Sequence, residues 1–212
     1  MNQSFLYGAQ NKAFTQYFQN RGIVDFTYHD HRYLVSIDRV MCFPQAYAAA
    51  VTILGELVDT PKALILDIGG ITADYLMLKR GRADLSTCDS LENGVILLYN
   101  RVRSKVNADL DYLLEESDVD SILRGEKKGY DPLMVELVEQ QAQQFIYDLF
   151  GNLRERMIDL RTGKVIFVGG GAALLRSQIE ASGRVGEALF VDSIQANASG
   201  YEYLYQRMAV GR

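Results

Sequence analysis

The apolar positions of this chain fall into short blocks of five or six residues and longer series at helical spacing. Ile23-Val-Asp-Phe-Thr-Tyr28 and Tyr33-Leu-Val-Ser-Ile37 have strand composition and flank a charged tip, which predicts a β-hairpin. Pro44 opens an alanine-rich stretch that predicts a helix to Val58, ended by Asp59-Thr-Pro61. Strands are predicted at 63–68, 73–79 and 83–89, with turn signals at Gly69-Gly70 and Arg80-Gly81-Arg82. A helix follows over Leu91–Val106. Ser117-Asp-Val-Asp120 reads as the capping box of a short helix that Gly125 stops. Asp131-Pro132 starts the next helix. There Met134, Val138, Ala142, Phe145, Leu149, Leu153, Met157 and Leu160 repeat at helical spacing, a core stripe. Strand 164–168, helix 172–181, strand 188–191 and helix 194–208 complete the order. Residues 1–42 are polar and tyrosine-rich outside the hairpin, with no helical stripe. Three consecutive strands followed by strand–helix alternation predict an α/β fold. Its mixed sheet has an antiparallel meander and then parallel crossovers, flanked by helices.

Composition narrows the class. The 212 residues are 48% hydrophobic, enough for a real core in one large domain or one and a half small ones. A net charge of −5 gives no bulk reason to bind nucleic acid directly or to sit on a membrane surface. No segment approaches the roughly 20 apolar residues of a membrane span, and the N-terminus lacks the pattern of a signal peptide. Cys42 and Cys88 have no CxxC spacing and read as reduced, largely buried thiols of a cytoplasmic protein. His29 and His31, two apart on a strand, would share a face. Without Cys or further His they read as an exposed hairpin tip, not a metal site.

The chemistry concentrates in Leu64-Ile-Leu-Asp67-Ile-Gly69-Gly70-Ile-Thr72-Ala-Asp74. An apolar run ending in a carboxylate and two glycines predicts a tight hairpin whose N–H groups face an anion. Asp67 would hold a hydrated Mg²⁺ or orient a water, Gly69 and Gly70 would admit a phosphate, and Thr72 would add a hydroxyl donor. Asp74, at odd spacing from its neighbour, is expected to point the other way and be structural. A second cluster, Gly169-Gly170-Gly171, sits between a buried strand and a helix start and suits a nucleotide's anion or sugar. It is neither a P-loop nor a dinucleotide fingerprint. Gln45, in the first turn of its helix, is placed to position a water. No Ser/His/Asp arrangement is present.

Together these segments resemble the actin/Hsp70/sugar-kinase superfamily, and within it the plasmid-segregation actin-like ATPases (the ParM/StbA family). The 64–74 stretch resembles the family's second phosphate motif, and Val165-Ile-Phe-Val-Gly-Gly-Gly-Ala-Ala-Leu174 its adenosine motif. Val40-Met-Cys-Phe-Pro-Gln-Ala-Tyr-Ala-Ala49 resembles the connecting helix. Glu92-Asn93-Gly94 stands where the family makes sugar and base contacts, and Asn197-Ala-Ser-Gly-Tyr201 resembles the start of its last helix. The resemblance implies a ribonuclease-H-like fold, ATP and Mg²⁺ as cofactors, and catalytic roles for Gln45 and Asp67. It implies nucleotide contacts at Gly69, Gly70, Thr72, Gly94 and Gly169–Gly171. The expected partners are further copies of the chain, as filament or dimer, and a DNA-binding adaptor protein. Glutamine at position 45, where some segregation filaments carry glutamate, implies water positioning. The family's first phosphate loop has no counterpart in residues 1–42. These are therefore expected to be the end of a first domain, with 43–212 the second, nucleotide-binding domain of an actin-like ATPase. A non-catalytic module that caps or regulates an actin-like filament, and a sugar-kinase-like phosphotransferase fragment, are the alternatives.

Overall fold

The structure, a computed structural model, describes residues 3–193 and 195–210. The side chains of residues 3–10, Gln45, Thr52, Leu54, Glu56, Ala209 and Val210 lie outside that description. A helix α1 (Gln3–Gln19) precedes a hairpin of β1 (Ile23–Tyr28) and β2 (His31–Ser36). Then come α2 (Gln45–Ala50), a 3-10 helix (Val51–Leu57), β3 (Ala63–Ile68), β4 (Ala73–Lys79) and β5 (Arg82–Leu91). Three helices follow, α3 (Val95–Leu110), α4 (Glu116–Leu123) and α5 (Pro132–Glu155). The chain closes with β6 (Lys164–Val168), α6 (Gly170–Leu174), α7 (Arg176–Ala181), β7 (Glu187–Phe190) and α8 (Ala196–Val210).

The main sheet runs β5-β4-β3-β6-β7, antiparallel through β5, β4 and β3 and parallel through β3, β6 and β7. This is the meander-plus-crossover sheet the sequence predicts. All six residues of β3 are buried, as expected for a central strand covered on both faces. Leu64, Leu66 and Ile68 join the large core with Val165, Phe167 and the apolar faces of α3, α4 and α5. Ile65 joins the second core with Leu76, Leu78, Ile166 and Val168, roofed by Ala46, Ala49, Ala50 and Ala196. The alanines are there because α8 comes close. A Cβ on Gly200 would stand 1.7 Å from the Ala48 carbonyl oxygen, so only a glycine lets the two helices cross at this distance.

Three local expectations are corrected. The first is α1, in a stretch read as lacking a helix. Phe14 and Phe18, edge-to-face at 4.9 Å, line a groove with Val40, Phe43 and Tyr205. Tertiary contact supplies what a weak stripe does not. Secondly, the helix from Pro44 tightens to 3-10 geometry at Val51, where β-branched residues and Gly55 lower α-helical propensity. Thirdly, the α4 cap is Glu115, paired reciprocally with Asp118, two residues before the predicted Ser117. Asp131 caps α5 as predicted, accepting from the Leu133 N–H. The α5 stripe ends at Leu153, and Met157 beyond it is exposed. The two histidines part company: His29 forms the hairpin turn with Asp30, both at positive φ, and His31 begins β2. Both thiols are half-buried and unpaired.

Two glycine substitutions should move stability in opposite directions. Gly200→Ala should lower unfolding free energy by about 1–3 kcal/mol through overpacking against Ala48. Gly151→Ala, inside the C-terminal part of α5 with open space at its Cβ position, should raise it by up to about 1 kcal/mol. Urea denaturation followed by circular dichroism reads both.

Candidate functional site

The parallel strands β3 and β6 end side by side, and a glycine turn follows each. Between β3 and β4 the turn closes with the Gly69 N–H donating to the Thr72 carbonyl at 2.9 Å. The next three carbonyls all point toward the start of α3. Val95 N–H donates to Gly69 O at 3.0 Å, Ile96 N–H to Gly70 O at 2.9 Å, and Gly94 N–H to Ile71 O at 3.0 Å. In a trans peptide the carbonyl and the following N–H point in opposite directions. The N–H groups of Gly70, Ile71 and Thr72 are therefore aimed away from α3. Among the described backbone hydrogen bonds, none of the three has an acceptor. Successive unsatisfied N–H groups on one side of a turn form an anion-binding concavity.

Asp67 lies one pleat before this turn on the α2 and α8 side of the sheet, and is buried. Its carboxylate accepts from Asn197 Nδ2 at 3.1 Å, a bond reaching from the first turn of α8. Burial pushes the Asp67 carboxyl above the usual carboxylate range. The Asn197 bond opposes that shift, and the nearby charge of Asp74 adds to it. The register pairs Asp67 directly with Asp74, so the two carboxylates share a sheet face. This corrects the expectation that Asp74 points away: alternation holds along one strand, and here the chain reverses at the turn between them. Asp74 is half-buried and accepts from Thr72 Oγ1 at 3.4 Å and from Ser90 Oγ. The Thr72 hydroxyl is thus turned toward Asp74.

The second turn packs against the first. Gly169 has φ +91°, and a Cβ there would lie 2.4 Å from Asp67 Oδ1 and 2.8 Å from the Ile68 carbonyl oxygen. Gly169 is what lets β6 close over Asp67. Gly170 is exposed, with open space at its Cβ position. Gly171 is buried; a Cβ there would meet Ile68 and Val95 at 2.7 Å. Gly94 has no room either, its Cβ position lying 2.2 Å from the Gly70 carbonyl oxygen. Gly94 and Gly171 therefore clamp α3 and α6 onto β3 and its turn, while Gly69, Gly70, Thr72, Gly169 and Gly170 line the open end of the sheet. Gln45 is the first residue of α2, beside Ala46 of the second core; its side chain lies outside the described residues.

Sequence reasoning named the segments holding Asn93 and Asn197 but missed their partners: Asn197 donates to Asp67, and the buried Asn93 accepts from Asn152 of α5 at 3.0 Å, tying the start of α3 to α5. No sequence spacing joins either asparagine to its partner. No group of three or more metal-ligating side chains occurs among the described residues. The Asp67–Asp74 pair nonetheless fits a hydrated Mg²⁺, which keeps most of its waters and needs one or two carboxylates. Two facing acids with no cationic side chain hydrogen-bonded to either also leave local negative charge to be met. Among the described residues no helix is long and apolar enough to cross a membrane.

Comparison with known proteins places this arrangement. The chain spans 92% of its length on the crystal structure of Ta0583, an archaeal actin homolog, in complex with ADP. There the identity is 21%, the TM-score 0.67, and 67% of that chain is covered. The Alp12 filament structure aligns over 99% of this chain and 67% of its own, at 16% identity and TM-score 0.69. A 15-stranded ParM filament from Clostridium botulinum aligns over 95% of this chain and 64% of its own, at 14% identity and TM-score 0.64. At such identities the likeness is one of fold, and the chain spans about two thirds of the length of these neighbours. No curated protein matches the sequence. Residues 65–181, from β3 through the second glycine turn to the end of α7, match the family described as archaeal actin homologue MreB-like, C-terminal. The mixed sheet with its paired glycine turns is the actin-like fold, and the chain belongs to the MreB-like family of archaeal actin homologues through that family's C-terminal region.

Proposed function

We propose that this chain is the nucleotide-binding part of an actin-like ATPase that assembles with copies of itself and segregates plasmid DNA through an adaptor protein. In this reading residues 1–42 end a first domain and 43–212 form the second. The observation that carries it is the set of outward N–H groups at Gly70, Ile71 and Thr72, beside the Asp67–Asp74 pair and the Gly169 turn. The ADP in the Ta0583 structure and the filaments of Alp12 and ParM support a nucleotide and self-association here.

The three N–H groups receive the terminal phosphates of ATP, with the rigid turn supplying donors that need no reorganisation. Asp67 and Asp74 would hold Mg²⁺, and when bound that ion would offset phosphate charge. Asn197 keeps Asp67 facing the site and favours its ionised form. The open backbone around Gly169 and Gly170 lies against the nucleoside end. Gln45, at the start of α2, orients the attacking water, since an amide accepts and donates without removing a proton. The donors lie on one wall, so the isolated chain binds nucleotide weakly and turns it over negligibly. The chain's net charge of −5 favours contact with DNA through an adaptor.

Three outcomes follow. Asp67→Asn should weaken Mg²⁺-dependent binding of a fluorescent ADP analogue at least roughly tenfold, about 1.4 kcal/mol, in a fluorescence titration. The same variant should melt slightly higher than wild type at neutral pH without ligand. The sign follows from the raised pKa: the folded state favours the protonated acid, so ionised Asp67 opposes folding as pH rises through its folded pKa. Below the ordinary carboxylate range the two proteins should melt alike. Equal binding by both would remove Asp67 from the site. In a chain carrying the first phosphate loop as well, Gln45→Ala should slow ATP hydrolysis and leave ADP affinity within about twofold. Unchanged turnover in a phosphate-release assay would exclude it.

A further inference from the structure

The amino-terminal edge of the main sheet carries a feature the nucleotide site does not use. The exit of the 3-10 helix and the β4–β5 turn enclose a cleft of about 1300 Å³. The two segments are tied by the Arg80 N–H, which donates to the Pro61 carbonyl, and the turn is fixed by positive φ at Arg80 and Gly81. Lys62, Arg80 and Arg82 line the cleft, and none of them has an ion pair or side-chain hydrogen bond among the described residues. Lys79 is already held by Asp84 at 2.7 Å, and Asp59 is the single acid in the lining. Val58, 56% exposed, and Pro61 give the cleft an apolar floor. Such a concentration of unpaired cations is unexpected on a chain of net charge −5.

The same chain carries a matching surface. Between Val106 and Leu123 there is no Lys or Arg, while Asp109, Asp111, Glu115, Glu116, Asp118 and Asp120 all fall in that span. Asp109 and Asp120 are neutralised within the fold by Lys105 and Arg124, and Glu115 and Asp118 cap α4. Asp111 and Glu116 are exposed and without a salt bridge among the described residues. They bracket the irregular link between α3 and α4, where Tyr112 is 46% and Leu113 88% exposed. An apolar side chain this bare, between free carboxylates, is the counterpart of an apolar floor ringed by free cations.

We infer that the 111–116 link of one copy docks in the Lys62/Arg80/Arg82 cleft of another copy. Leu113 sits on Val58 and Pro61, and Asp111 and Glu116 meet the cations. This rests on the self-association reading above and names the surfaces it uses. The two patches differ, so the contact is heterologous: each copy offers a link and a cleft, and unless the rotation closes a ring the contact repeats without end.

Charge exchange tests it. Lys62→Glu/Arg82→Glu gives an acidic cleft facing an acidic link, and Asp111→Lys/Glu116→Lys gives a basic link facing a basic cleft. Sedimentation velocity of the full chain should show each double variant weakened in self-association at least roughly tenfold, a loss of about 1.4 kcal/mol. An equimolar mixture of the two should return to within about threefold of wild type, since each cleft then meets a link of opposite sign. Wild-type assembly should also weaken between about 0.05 M and 0.5 M salt. Recovery in the mixture excludes misfolding as the cause of the single-variant losses. If wild type associates and the variants do so equally, or the mixture fails to recover, the docking is wrong and self-association stands. A wild-type chain that stays monomeric at every concentration overturns both. Fluorescent-ADP binding, which uses the other edge of the sheet, should be unchanged in both variants.

Discussion

The site rests on three hydrogen bonds from the first N–H groups of α3 to the carbonyls of Gly69, Gly70 and Ile71. A helix start has unsatisfied donors, and a tight turn has carbonyls that must go somewhere. Each settles the other. Because the peptide bond is planar, satisfying the carbonyls on one side turns the following N–H groups to the other. The same contact demands Gly94, since any side chain there would strike the Gly70 carbonyl. The concavity is therefore a consequence of how α3 is anchored, and it is in place before any ligand arrives.

Around that anchor the sheet arranges charge at a cost. Asp67 is buried with its carboxyl above the ordinary range, opposite Asp74 on the same face, and supported by the Asn197 amide alone among the described hydrogen bonds. A fold optimised only for stability would not keep two acids here; a desolvated carboxylate without a cation is unfavourable. Gly169 packs over Asp67 where any Cβ would strike the carboxylate. An added cation would offset that unfavourable charge. At the opposite end of β3 the cleft around Arg80 shows the complementary imbalance, with Lys62, Arg80 and Arg82 set against the single acid Asp59.

Much of the fold was legible because its signals are local. Six consecutive buried residues in β3, the Asp131-Pro132 start of α5 and the spacing of Val138, Phe145 and Leu149 each declare an element without reference to the rest of the chain. What stayed hidden depends on partners distant in sequence. The α1 helix has a weak stripe and takes its anchoring from Phe14 and Phe18 against residues near 40 and 205. Asn197 lies 130 residues from Asp67, and no spacing rule joins them. Asp74 was misjudged because a period of two was carried across a chain reversal, where register decides the face.

By itself the sequence determined that an aspartate and two glycine turns end apolar strands, since a carboxylate and paired glycines inside apolar runs are tolerated only where something approaches the backbone; that those strands are neighbours was decided by the sheet. Which glycines do which task was decided by tertiary structure. Gly94, Gly171 and Gly200 are spaces that another backbone or side chain fills, whereas Gly170 faces open space and Gly70, though beside Ile96, is exposed. One residue type serves both purposes, because what it provides is the absence of an atom, and only the surroundings determine what uses the vacated volume.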